Sequence, residues 1–517
     1  MNVTMNHSFL PDSHDRIGTL ELIARTGGDL RRRKLLLMII ALIAQATFLP
    51  KALHAQLHLD YRPIQIEGQL PDILIEDLTL KSIEEMSNAD FDAQDEEAQA
   101  FYLRSNLALK NAFLSGHVFI DDPMSEYLRT LVGYLLRDHP EFQDKINVYA
   151  TRFPTANAFC WRNGTIFVNT ALLRYLDNEA QLACILAHEI QHYILSHSVQ
   201  SFQKERDLEE EVEAGADLDA EYENMRFSRH QEMEADSMGL QLYLDTDYHP
   251  HHAVTALQVL KEINGDDGPY PHLDLLDLLA TPELEIDSSQ LKFFSREADE
   301  EMEEEAEETS DASEEEDVDY STHPDIDKRI EAVRRMLPEY DVTDTAAIEE
   351  GGFILPSERF YSTMLISTYE TLELYYQKGM YAHSLYLGLR LAKDFPENQF
   401  VQGVIAQSVF WLIFHDQYLD VDEILPDPYS YKGYPFGDFV YFLKYVRSSK
   451  FEPILGAVLV HRATTFPDNP EIQIAYARYL LETGEKEEAQ EKFDQFSQSF
   501  PDSRHANFAR NKAETLK

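Results

Sequence analysis

Leu182-Ala183-Cys184-Ile185-Leu186-Ala187-His188-Glu189-Ile190-Gln191-His192 is the stretch on which the fold turns. It lies in an apolar run from Ala180 to Leu195 whose length and periodicity predict a helix. His188 and His192 stand four residues apart, about 40° around a helix, so both imidazoles leave the same face and can share one cation. Glu189 lies beside them and supplies a base. The competing reading is a core helix with two satisfied histidines.

Two imidazoles leave a catalytic ion short of one protein ligand. Forty residues after His192 comes His230-Gln231-Glu232-Met233-Glu234-Ala235-Asp236, opening a helical run to Leu244. Glu232 and Asp236 are again four apart and share a face, so the first can ligate the ion while the second hydrogen-bonds to a ligand or to the facing helix. Glu234 points elsewhere and reads as a surface residue. Around these motifs, Tyr127, Leu128, Leu131, Leu135 and Leu136 form a helical stripe. Ile146 to Ala150 and Thr165 to Asn169 read as strands, with a turn at Arg162-Asn163-Gly164. Leu107 to Gly239 is therefore expected to be an α+β core.

In this order the pieces resemble the zinc metallopeptidases of the HtpX and BepA type, which include the CAAX prenyl endopeptidases. Leu182 to His192 is similar to that family's L-A-x-x-L-A-H-E-x-x-H helix, and Glu232 to Asp236 to its E-x-x-A-D helix. Asn157-Ala158-Phe159 with Gly164 to Val168 resembles its substrate-side strand; Tyr248-His249-Pro250-His251-His252-Ala253 stands where it has Y-D-P-x-A. Ser321-Thr322-His323-Pro324 with Arg329-Ile330 resembles its closing signature. The resemblance covers Leu107 to Leu337. It implies a gluzincin-type domain holding one zinc ion per chain, with His188, His192 and Glu232 as ligands, Glu189 as the catalytic base, Asp236 behind a ligand, and Asn157, Ala158 and Phe159 on the substrate strand. His323 has two readings: a fourth ligand or latch that displaces the catalytic water, or an ordinary turn histidine. Tyr193, His197, Tyr248 and His323 are all candidates for stabilising the oxyanion. Departures from the family pattern are Trp161-Arg162-Asn163 before Gly164 and an acidic insertion before Thr322.

The rest of the chain sets the context. Its 44 Lys+Arg against 93 Asp+Glu give a net charge of −49, which argues against binding to a nucleic-acid backbone. Glu205 to Glu223 holds ten carboxylates and one Arg, and Glu297 to Asp319 holds fifteen carboxylates and no base; the second, within an insertion at 283–320, reads as a disordered loop. His249, His251 and His252 read as solvent-exposed residues before a helix. Two cysteines, Cys160 and Cys184, allow one bridge or two separate buried thiols. Arg31 to Lys34 followed by the apolar run from Leu35 predicts an export signal or N-terminal anchor over 1–55, with a cleavage point after Ala55. Residues 56–106 form an extension without a chemical signature.

Beyond Gly352 the chain reads as helical and repetitive. Phe395-Pro396-Glu397-Asn398, Phe466-Pro467-Asp468-Asn469 and Phe500-Pro501-Asp502-Ser503 recur 71 and then 34 residues apart, with Tyr434-Pro435 near the missing midpoint. Thirty-four is the tetratricopeptide period, so 355–517 is expected to stack helix pairs into a surface that binds peptide or protein. The expected whole is mainly α: an α+β metallopeptidase domain at 107–338 followed by helical repeats. The implied activity is cleavage of misfolded or unassembled envelope proteins in the periplasm, peripheral to a membrane, with proteins of outer-membrane assembly as partners. The alternative is a chaperone or scaffold whose repeats bind proteins beside a latent metal site.

Overall fold

The computed structural model describes residues 57–65, 71–89, 91–92, 94–213, 220–263, 326–414, 425–426, 435–448 and 452–517. The signal or anchor segment, the acidic stretch from Glu297 to Asp319 and the loop carrying His323 lie outside these residues. The chain is mainly helical, with one three-stranded sheet. Among the described residues no helix is long and apolar enough to cross a membrane.

Helices α1 (Leu78–Asn88) and α2 (Glu96–Leu114) lead into α3 (Pro123–Leu135). Helix α2 runs through residue 106, so the extension and the metallopeptidase region share an element. Asp122 starts α3 by accepting from the backbone N–H groups of Met124 and Ser125 at 2.9 and 3.1 Å, and Pro123 fits the first turn because no N–H is needed there. The stripe Tyr127, Leu128, Leu131, Leu135 and Leu136 is wholly buried, as its spacing predicts.

Strands β1 (Asn147–Thr151), β2 (Ala158–Cys160) and β3 (Thr165–Asn169) form a sheet in the order β1-β3-β2. Strand β3 pairs parallel with β1 and antiparallel with β2, Phe159 lying opposite Phe167. The β2–β3 turn requires glycine: Gly164 has φ +84°, and a Cβ there would lie 2.5 Å from the Lys145 carbonyl oxygen. Beside the turn, Arg162 stacks over Tyr102 and reaches Glu85 at 2.7 Å, which gives the extension a use as a brace behind the sheet.

Next come α4 (Glu179–Ile194), which carries the H-E-x-x-H motif, α5 (His197–Glu213), α6 (Ala220–Leu244), α7 (His251–Glu262) and α8 (Ile326–Met336). The acidic stretch from Glu205 thus begins as the second half of α5, whose Phe202 stacks on Phe101 of α2 at 4.3 Å.

The helical region starts with α9 (Ser357–Gln377), α10 (Tyr381–Asp394) and α11 (Gln399–Phe414), then α12 (Pro435–Ser448), α13 (Glu452–Thr465), α14 (Pro470–Glu482), α15 (Lys486–Ser499) and α16 (Ala506–Thr515). The recurring Phe-Pro motif has a mechanical reason. Helices α10, α13 and α15 each end just before it, because proline disfavours helical geometry in the residue preceding it. The asparagine that follows caps the next helix: Asn398 accepts from Val401 N at 3.0 Å, and Asn469 from Glu471 N at 3.1 Å. Tyr434-Pro435 does not repeat this role, since Pro435 is itself the first residue of α12. The two regions are not separate bodies. One buried cluster runs from Leu57 through the sheet and α4 to Ala475, while the last helices, and α1 and α2 with the far face of the sheet, have smaller clusters of their own.

The joint between the regions is Glu179, the first residue of α4. Wholly buried, it accepts from Tyr127 Oη at 2.6 Å, Tyr248 Oη at 2.8 Å, and the backbone N–H groups of Ile354 and Leu355 at 2.9 and 3.0 Å. Replacing it leaves two buried hydroxyls and two part-buried backbone N–H groups without their acceptor, so Glu179→Ala should cost about 3 kcal/mol or more, read as a fall in the urea midpoint of unfolding. Glu179→Gln, which keeps the shape and an acceptor oxygen, should cost less.

Candidate metal centre

Helix α6 crosses α4 at Gly239, whose position allows a very close approach: a Cβ there would lie 3.0 Å from both Cα and N of His188. The crossing brings the distal motif onto the H-E-x-x-H face. His188 Nε2 and His192 Nε2 are 3.0 Å apart, and each lies 3.5 Å from an oxygen of Glu232. Among the described residues these three form a group able to hold a metal ion, with one ligand atom from each lying within 4.8 Å of the others. Tetrahedral bonds of about 2.0–2.1 Å place two ligand atoms about 3.3 Å apart, so two nitrogens and one carboxylate at these spacings suit zinc.

Behind each imidazole stands a fixed partner. His188 Nδ1 is 3.0 Å from Asp236 Oδ1, and the Asp236 carboxylate is gripped by Arg329 through Nε at 2.7 Å and Nη2 at 2.8 Å. Arg329 Nη1 also lies 3.0 Å from Glu232 Oε2, so one guanidinium holds both carboxylates of α6. On the other side, His197 Nδ1 is 2.9 Å from His192 Nδ1, and its Nε2 is 3.4 Å from Glu234. Glu234 thus stands outside the ligand group, as its spacing predicts, but it does meet a ring that orients a ligand.

These contacts set the protonation states. Burial opposes charge on His188, yet hydrogen bonds to Asp236 and Glu232 outweigh it and raise the metal-free imidazole to about 10. Burial likewise opposes ionised Asp236, but His188 and Arg329 hold its carboxyl down at about 2. His197 is lowered chiefly by burial, only partly offset by Glu234.

A cavity of about 460 Å³ opens beside the group, lined by His188, Glu189, Asn157, Ala158 and Arg329, with an apolar wall that includes Leu240, Leu257 and Val333. Asn157 and Ala158 thus reach the site as the sequence predicts. The Phe159 side chain instead turns to the opposite face of the sheet, packing on Phe167 at 5.6 Å and Trp161 at 6.0 Å. Of the oxyanion candidates, Tyr248 is committed to Glu179 and His197 to His192, while Tyr193 lies against the β2–β3 turn, 3.3 Å from an ideal Cβ at Gly164. His323 falls outside the described residues.

One open choice is settled and one expectation changes. Cys160 and Cys184, which could be bridged or separate, are free thiols, Cys160 pushed well up and Cys184 to about 12, chiefly by burial. His252 is buried rather than solvent-exposed: its Nδ1 lies 3.2 Å from Asn178 Nδ2 and its Nε2 2.8 Å from the Ile348 carbonyl oxygen, so the ring ties α7 to the start of α4. Arg329 and His197 are the residues whose roles the sequence did not reveal. Arg329 was visible only as part of a closing signature and His197 only as a residue near the motif, because both act through pairings distant in sequence or across a helix break.

Fold and site together define a metallopeptidase domain of the H-E-x-x-H type with a distal glutamate. Residues 126–218 and 219–337 match the model of Peptidase family M48, a match that covers somewhat under half of the chain. It is 30% identical over 108 residues to the β-barrel assembly-enhancing protease of Yersinia pestis, covering 21% of each chain. It is 31% identical over 122 residues to the mitochondrial metalloendopeptidase OMA1 of Arabidopsis thaliana, covering 22% of this chain and 25% of that one. A match to OMA1 of Schizosaccharomyces pombe reaches 30% over 135 residues, 24% of this chain and 40% of that one. The chain therefore spans between about a fifth and two fifths of these relatives' length.

A lysine at position 329 keeps the charge but cannot grip two carboxylates at once. Arg329→Lys should weaken metal affinity about 10- to 100-fold, measured by competition with a chromogenic zinc chelator. Unchanged affinity would make Arg329 a packing residue only.

Proposed function

We propose that the chain is a zinc-dependent endopeptidase that hydrolyses peptide bonds of misfolded or unassembled envelope proteins, with clients recruited by its helical repeats. The observation that carries this reading is the meeting of His188, His192 and Glu232 beside a cavity that Glu189 also lines. One zinc ion per chain held by these three ligands would supply Lewis acidity for a water and a peptide carbonyl at neutral pH.

The remaining steps belong to the chain's own groups. Glu189, buried at the cavity wall, accepts the proton of the attacking water and returns it to the leaving amine nitrogen. Strand β2 is the edge of the sheet nearest the cavity. Asn157 O accepts from Asn169 N at 3.0 Å and Trp161 N donates to Thr165 O at 2.7 Å, so by the alternation of an antiparallel pair Ala158 and Cys160 present their backbone groups outward. An extended substrate can add to that edge as a further strand and lay its scissile bond past Glu189. Asp236 with Arg329, and His197 with Glu234, keep the two imidazoles aimed.

The relatives named β-barrel assembly-enhancing protease support clients among β-barrel proteins and, with the export signal read in the sequence, a periplasmic location near a membrane. A chaperone or scaffold without cleavage gives no use to the carboxylate at Glu189. We retain His323 as a fourth ligand or latch, for which His323→Ala should raise proteolysis; unchanged zinc content and activity would remove that role.

Wild type should degrade a reduced, carboxymethylated protein, lose the activity to a chelator and regain it with zinc. Glu189→Gln should retain one zinc per chain and lose cleavage by at least about a thousandfold. Equal cleavage by both would overturn the hydrolase reading.

A further inference from the structure

The helical region is not bare on the side where the chain enters it. Residues 57–59 end a helical turn and 60–65 continue without regular structure, laid across α9 and the start of α11. Leu57 and Tyr61 are buried there. Most of the polar contacts to this strap go to its backbone. The Leu57 carbonyl oxygen accepts from Tyr369 Oη at 2.8 Å and Asn398 Nδ2 at 2.8 Å. Ile64 N donates to Glu370 Oε1 at 2.7 Å, and the Ile64 carbonyl accepts from Arg152 Nη2 at 3.0 Å. One side chain adds a specific contact: Tyr61 packs between Tyr369 and Phe400 with ring centres 4.9 and 5.3 Å away and its hydroxyl on Glu370, and His58 meets Phe395 at 4.8 Å.

The seat is built independently of its occupant. Glu370 is fixed through Oε2 by Arg152 Nε at 2.6 Å, and its Oε1 receives two donors from the strap, the Ile64 N–H and the Tyr61 hydroxyl. Asn398 is fixed through Oδ1, which caps α11 by accepting from Val401 N, while its Nδ2 donates both to Tyr369 Oη of the seat at 3.0 Å and to the Leu57 carbonyl oxygen of the strap at 2.8 Å. Both residues are wholly buried with the strap in place, so a polypeptide that replaces it has to supply donors to Glu370 Oε1 and an acceptor beside Asn398 Nδ2. The seat continues into an open cavity of about 800 Å³, bounded on one side by Asp60 to Gln65 and on the other by residues that include Tyr376, Gln407, Asn469 and Arg504.

We propose that this face, at Tyr369, Glu370 and Asn398, is a docking site for an extended polypeptide segment, that the chain's own Leu57–Gln65 fills it at rest, and that a client segment takes its place. The proposal deepens the client-recruitment reading above and rests on it. Recognition through backbone groups together with one aromatic hydroxyl suits unfolded clients that expose a tyrosine, and occupation by the strap keeps the buried polar atoms satisfied between clients. Strap and client exclude one another because both need the same oxygen of Glu370 and the same amide of Asn398.

The test uses the full chain carrying Glu189→Gln, so that binding is read without cleavage, and fluorescein-labelled, reduced and carboxymethylated lactalbumin as the unfolded probe. Adding Tyr61→Ala loosens the strap and should tighten binding at least about tenfold by fluorescence anisotropy. A synthetic peptide of residues 57–65 should compete with the probe on that variant. The pair His58→Cys and Phe395→Cys, oxidised, fastens the strap and should weaken binding at least about tenfold, with reductant restoring it. Equal affinity of the loosened, fastened and parent forms would overturn the proposal. So would failure of every form to bind the probe, and in that case cleavage by the wild type would still stand as separate support for the hydrolase.

Discussion

Everything at the metal centre depends on how closely two helices can pass. The α4–α6 crossing is set by the backbone of Gly239 resting against the backbone of His188. Glu232 lies seven residues before Gly239, about two helical turns, and Asp236 lies three before it. One close contact therefore positions two carboxylates at two depths: Asp236 beside Nδ1 of His188, Glu232 beside the Nε2 atoms of both histidines. A side chain at residue 239 would need space from the neighbouring backbone, which cannot yield by rotating a flexible group.

Charge explains why this packed arrangement needs an ion. Glu189, Glu232 and Asp236 are all buried, and Arg329 is the buried cation paired with the last two. Three carboxylates against one guanidinium leave two negative charges in a low-dielectric place, where uncompensated charge is costly. A divalent cation balances them. The same carboxylates, Asp236 and Glu232, are what raise His188. The large negative charge of the chain as a whole has no part in this balance, which is local and buried.

What the sequence disclosed follows from the range of the forces involved. The H-E-x-x-H helix, the Glu232–Asp236 pair and the stripe from Tyr127 to Leu136 were legible because their partners lie on one face of one helix, where periodicity reports them. The ligand group could be anticipated for the same reason, helped by family likeness. Arg329 could not be read as the clasp on Glu232 and Asp236, since nothing in an amphipathic helix of Ile326–Met336 says which of its basic residues turns inward. His252 looked like part of an exposed histidine cluster because three histidines in four positions before a helix suggest solvent; the carbonyl of Ile348, almost a hundred residues away, takes it inside. Residues 56–106 carried no chemical signature because their work is mechanical. Arg162, which departs from the family pattern, is held by Glu85 of that segment and by the ring of Tyr102, so the unusual turn and the silent extension explain each other.

The helix that carries the ligands is also the beam to which the helical region is fastened. At its first residue Glu179 receives the backbone of Ile354 and Leu355, and Ala180 N donates to the Gly352 carbonyl oxygen at 3.0 Å. At its far end His192 leans on His197, whose helix packs against the N-terminal extension through Phe202. The strap at Leu57 to Gln65 reaches the same assembly by another route, because Arg152, which holds Ile64 and Glu370, lies one residue beyond β1. Helical region, sheet and ligand helix are thus joined by buried polar contacts at both ends of α4 and at the end of a core strand. Such contacts have few alternative arrangements, and rotating the helical region as a body requires breaking several of them together.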